Sequence, residues 1–136
     1  TYRNLEHYGN PEKILSDVEK QIHRRILLKT KTLILTPRYL VELSDDICAI
    51  IPLPEVLWIY DHAAMRRTIK GRQLSYTIHV VTMKGEEYTL TGKSHREVSA
   101  IYHELNTRYP NFFFGYSKEH QEMVQYVLHE MKNEKA

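Results

Sequence analysis

The sequence predicts an α+β fold, mainly β, in which helices flank an antiparallel sheet of about six or seven strands. Three observations carry that expectation. Short apolar runs follow one another closely from Thr32 to His62, two alternating strands joined by a glycine turn span Leu74 to Thr91, and three amphipathic segments each open on a capping signal.

The first helix is expected over about residues 11–25. Asn10 is its cap, Pro11 its first position and Glu12 an acid at the positive end of the dipole. Ile14, Leu15, Val18, Ile22 and Ile26 make a stripe that should dock on the sheet or on a partner. Its end is basic, with Lys20, His23, Arg24, Arg25, Lys29 and Lys31. Cations suit a helix C-terminus and a solvated surface; a docking patch for phosphate or anionic lipid is the alternative.

A β meander is expected over about residues 32–91. Leu33-Ile34-Leu35, Tyr39 to Leu43, Ile47 to Ile51 and Val56 to Tyr60 are separated by Thr36-Pro37-Arg38, by Ser44-Asp45-Asp46 and by Pro52-Leu53-Pro54. Ala63 to Arg72 holds four cations and no acid, and should include a projecting hairpin turn. Leu74, Tyr76, Ile78 and Val80 alternate with polar residues and should face inward. Tyr88 and Leu90 join that face only across an odd-numbered loop. Met83-Lys84-Gly85, with Gly85 left-handed, sets Tyr88 opposite Val80 and Leu90 opposite Ile78.

Ser94-His95-Arg96-Glu97 is a capping box, so a second helix is expected over about residues 94–109, with Val98, Ile101, Tyr102 and Leu105 apolar and Pro110 ending it. Phe112-Phe113-Phe114 should pack back on the core. Ser117 then caps a last helix over about residues 117–132, with Val124, Val127, Leu128 and Met131 inward.

At 136 residues the chain is read as one domain, 1–136, large enough for a core of its own. Its net charge of +2 implies neither a nucleic-acid nor an acidic partner. A single cysteine forms no internal disulfide and favours a reducing compartment. The first residue is Thr1 rather than methionine, which fits a piece of a longer protein.

Chemistry is harder to find. There is no phosphate loop, no Gly-x-Ser-x-Gly elbow and no His-Glu-x-x-His helix. Cys48 sits in an apolar run and reads as an inert core thiol. The eight histidines show no ligand spacing, so no metal and no cofactor is expected. Asp61 and His62 should point to opposite faces, and His79 should lie on the outer face of its strand. Trp58 and Tyr60 read as core and sheet packing. Aromatics and cations are not mixed on one strand face, so no specific nucleic-acid binding is expected. That leaves Arg66, Arg67, Lys70 and Arg72 as candidate ligands for an anion or lipid head group.

Strands in this number followed by an amphipathic helix resemble a pleckstrin-homology-like domain, where a strongly bent sheet or partly open barrel is closed at one end by that helix. Ile51-Pro52-Leu53-Pro54-Glu55-Val56-Leu57-Trp58-Ile59-Tyr60, Met83-Lys84-Gly85 with Leu90-Thr91-Gly92-Lys93, and Phe113-Phe114-Gly115-Tyr116-Ser117 are similar to motifs of an uncharacterised family of bacterial proteins with such a domain. The likeness runs from about Thr32 to Met131 and carries over no catalytic residue. It implies a non-enzymatic interaction module, the cytoplasmic part of a membrane-associated protein held at the inner face by a segment outside this chain. A protein partner would dock on the sheet edge or the first helix. Anionic lipid or phosphate binding through residues 66–72 is the alternative, and an enzyme with an unrecognised site the third.

Overall fold

The computed structural model describes residues 3–43 and 49–134. They form two compact units, 1–54 with 99–109 and 55–98 with 110–136. Among the described residues the element order is α+β, with eight strands in two four-stranded sheets and three α-helices. Two of the strands are only two residues long, too short to show a period, which is why they exceed the expected number.

In the first unit, helix α1 (Pro11–Arg24) starts as its sequence requires: the Asn10 side chain accepts from the Glu12 amide at 2.9 Å, and proline occupies the first turn. Strands β1 (Leu28–Lys29), β2 (Leu33–Leu35), β3 (Tyr39–Glu42) and β4 (Ala49–Pro52) form an antiparallel meander. Cys48, whose inert-thiol reading came from its apolar run, lies outside the described residues.

Ile34, Val41 and Ile50 stand in one cross-strand row. With Tyr39, Leu5 and Val18 they form a core against which Ile14, Leu15 and Ile22 pack, so the stripe of α1 is spent on the sheet. Ile26 is exposed, because the helix has already ended at Arg24. Across this interface the Tyr39 hydroxyl donates to Asp17 Oδ2 at 2.6 Å. Burial, then that bond, pushes the Tyr39 pKa up to about 12.

In the second unit, β5 (Val56–Thr68), β6 (Gly71–Thr82) and β7 (Glu87–Lys93) are antiparallel, and β8 (Phe113–Phe114) adds to β5 in parallel. That parallel pair departs from the expected wholly antiparallel sheet. It follows from the chain's returning to β5 only after helix α2 (His95–Arg108) instead of by a tight turn.

The β6–β7 loop is the three-residue one: Gly85 has φ +81°, its amide donates to Thr82 O at 2.9 Å, and Tyr88 and Leu90 face Val80 and Ile78. Ile78, Val80 and Leu90 are buried as expected. Leu74, expected in the same row, is instead 52% exposed. The reason is that β7 ends opposite Tyr76, so nothing in the sheet extends to cover Leu74.

On the opposite face, helix α3 (Lys118–Glu134) lays Val124, Val127 and Leu128 on Trp58, Val81 and Phe113. Ser117 caps it by accepting from the His120 amide at 3.0 Å. No described helix is long and apolar enough to cross a membrane.

The capping box of α2 is formed in both directions: the Ser94 amide donates to Glu97 Oε1 at 2.9 Å, and the Glu97 amide donates to Ser94 Oγ at 3.2 Å. Ser94→Ala should cost about 1 kcal/mol in urea unfolding; an unchanged midpoint would mean the cap is energetically idle. Tyr39 supplies a pH-dependent counterpart. Its native pKa lies above the ordinary 10.0, so its stabilisation is full below pH 10 and is lost as pH rises through about 12. Tyr39→Phe should therefore cost about 1–2 kcal/mol at neutral pH, and the deficit should close between pH 10 and 12. A pH-independent deficit would show that folding does not raise the Tyr39 pKa.

Candidate functional site

The β5–β6 hairpin is longer than the sheet that supports it. Its register runs from Val56↔Thr82 to Thr68↔Gly71, with Ile69 and Lys70 as the turn and the Thr68 hydroxyl donating to Gly71 O at 2.9 Å. β7 pairs with β6 only as far as Tyr76, and β8 with β5 only at Trp58 and Ile59. Residues 63–75 are consequently a two-stranded ribbon that extends about 20 Å beyond its neighbours at 3.3 Å per residue. Its side chains are exposed on both faces, with Ser75 at the base half-buried, so the sequence here shows no apolar alternation even though it is regular strand.

All four cations singled out from the sequence lie on this ribbon or its tip, and all are exposed. Arg66 pairs with Gln73 on one face, and Arg67 stands directly opposite Arg72 on the other. Like charges facing each other across a ladder are destabilising, and the sequence between Asp61 and Glu86 holds no Asp or Glu. Beside them are exposed apolar side chains: Ile69 at the tip is fully exposed, and Met65, opposite Leu74, is 62% exposed. Arg66 also lines two open grooves at the ribbon's base, one shared with Gln73, Ser75 and Ser94, the other with Ala64, Thr77 and Thr91. The cations of the other basic segment, Lys20, His23, Arg24, Arg25, Lys29 and Lys31, are exposed at the end of α1 and beyond it in the first unit.

A second constellation was not anticipated from the sequence. The register that sets Thr68 opposite Gly71 also sets Tyr60 opposite His79, and puts His62 diagonally beside His79. Trp58 and Tyr60 rings lie 4.4 Å apart, Tyr60 and His79 4.7 Å, His79 and His62 5.0 Å, the last two pairs stacked. His62 Nδ1 and His79 Nε2 are 3.1 Å apart. Tyr116 leans on the row, 5.5 Å from Tyr60, and the Trp58 indole N–H donates to Gly115 O at 2.9 Å. The available signal was the turn: placing it at Ile69-Lys70 makes opposed residue numbers sum to a constant, from which the His62–His79 neighbourhood follows. Asp61, as expected from parity, takes the other face, opposite Ile78.

Burial lowers the His79 pKa below its ordinary value, His62 lowers it further, and Glu87 opposes them. Tyr60 is raised, first by burial and then by Glu87 and Tyr116, so it stays a neutral phenol at physiological pH. Among the described residues no three His, Cys, Asp or Glu side chains gather as a metal-binding group.

The class of protein these features define is an α+β domain whose distinguishing surface is an exposed basic hairpin. The chain belongs to the family described as "Domain of unknown function (DUF6709)", whose profile matches residues 10–124. No curated protein and no solved structure matches it.

The imidazole pair yields a measurable pH effect. A lowered native pKa means the folded state holds this proton less tightly than the unfolded chain. The stabilisation is therefore present above about pH 6.5 and is lost as pH falls through the native pKa. In His62→Ala, His79 should titrate at higher pH than in the wild type when followed by imidazole NMR resonances. An unmoved titration would show that the two rings are not coupled.

Proposed function

We propose that this chain is a non-enzymatic binding module, pleckstrin-homology-like and part of a bacterial membrane-associated protein, whose β5–β6 hairpin engages an anionic surface. The observation that carries the proposal is the directly opposed Arg67–Arg72 pair on an exposed ribbon that also holds Arg66 and Lys70. An anion seated between the two guanidinium groups turns a repulsion into charge-assisted hydrogen bonds. Ile69, Met65 and Leu74 favour a bilayer over a dissolved anion, because apolar side chains beside the cations gain by leaving water. Each cation near an anionic membrane contributes on the order of 1 kcal/mol, so the hairpin is an attachment that works beside a second anchor.

A second reading, a protein partner, is favoured by the outer strand edges of residues 62–68 and 71–75, which pair with no further strand among the described residues and to which an extended peptide can add one. Liposome flotation distinguishes the two. The chain should float with anionic but not with neutral vesicles, less so as salt rises. Arg66→Glu with Arg67→Glu should abolish flotation, and Ile69→Asp should weaken it. Equal flotation by the double variant would end the anionic-surface reading and leave the strand edge as the site.

A further inference from the structure

We propose that His62 and His79 form a two-histidine site for a divalent transition-metal ion such as copper or zinc, open to a further ligand from solution. This site lies in the aromatic row of β5 and β6, and does not depend on the hairpin reading.

The geometry supplies the argument. Imidazole nitrogens bind such ions at about 2.0–2.1 Å, so two of them on one ion stand about 2.9 Å apart at a right angle and about 3.3 Å apart at the tetrahedral angle. His62 Nδ1 and His79 Nε2 are 3.1 Å apart, between those limits. The same separation suits an N–H···N hydrogen bond, which is how the pair rests without metal; to bind an ion the donor ring takes its other tautomer, its proton passing through solvent to the second ring nitrogen, and both rings turn so that their lone pairs meet on the ion.

The pair is also held in place. His79 is stacked at 16° on Tyr60, the residue directly across the ladder, and Tyr60 is itself packed on Trp58. Burial favours the neutral form of His79, the form that has a lone pair to give. His62 is exposed, which leaves an approach from solvent. No third His, Cys, Asp or Glu completes the set among the described residues, so water or an outside ligand fills the remaining positions. Imidazole donors with open positions favour copper(II) most among the common divalent ions, and copper(II) is therefore the probe.

The test is titration of the full chain with copper(II) alone, read by calorimetry and by electron paramagnetic resonance with modulation from coordinated nitrogen. One ion per chain with two imidazoles bound is expected. His62→Gln and His79→Gln should each lower the affinity at least about tenfold and leave one imidazole in the spectrum, while His103→Gln, an isolated surface histidine, should change neither. His62 is on the surface, so its variant keeps the fold, and circular dichroism verifies this. If the wild-type spectrum shows a single imidazole, or if His62→Gln binds copper as the wild type does, the site does not exist.

Discussion

The register of the β5–β6 hairpin is the constraint on which the rest of the second unit depends. Once Thr68 faces Gly71, every pair down to the irregularity between Val56 and Trp58 is determined. Trp58 meets Val81 and receives α3, Tyr60 meets His79, and Arg67 meets Arg72. A slip of one residue would exchange the two faces of the sheet, putting His79 and Thr77 in the buried row that Ile78 and Val80 now fill. Burial of the Ile78–Val80 row therefore selects the pairing, and the polar constellations on both faces come with it.

Along the hairpin the energetic role of the sequence changes. From Val56 to Tyr60 the strand is β-branched and aromatic, and it is held by its neighbours on both edges and by α3. From Ala63 outward it has one partner strand and no covered face, a state of marginal stability for an isolated hairpin. There Arg66, Arg67, Lys70 and Arg72 interrupt the few apolar residues, Met65, Ile69 and Leu74, and discourage edge-to-edge association through charge. A like-charged pair such as Arg67–Arg72 in such a segment costs stability.

The imidazole row occupies the transition between these two regimes. Trp58 is buried and hydrogen-bonded, Tyr60 and His79 are half-buried, and His62 is in water. Burial along this gradient lowers the proton affinity of His79, while the ladder fixes the separation of the rings. Stacking of Tyr60 on His79 limits how far the ring turns, so the nitrogen positions reflect the sheet more than side-chain freedom.

What the amino-acid sequence determined by itself was whatever depends on contacts within a few residues. The caps at Asn10, Ser94 and Ser117 and the Gly85 loop with its Ile78–Leu90 register are local exchanges between a side chain or a glycine and nearby amides. The α+β class and the exposed basic segment were legible for the same reason. Tertiary structure alone decided where each strand loses its neighbour. That is why Leu74 is exposed although its parity matches Ile78, why Phe113–Phe114 pairs in parallel with β5, and why His62 and His79 meet from seventeen residues apart. A period of two assigns a residue to a face, but only the ends of the adjoining strands and helices decide whether that face is covered.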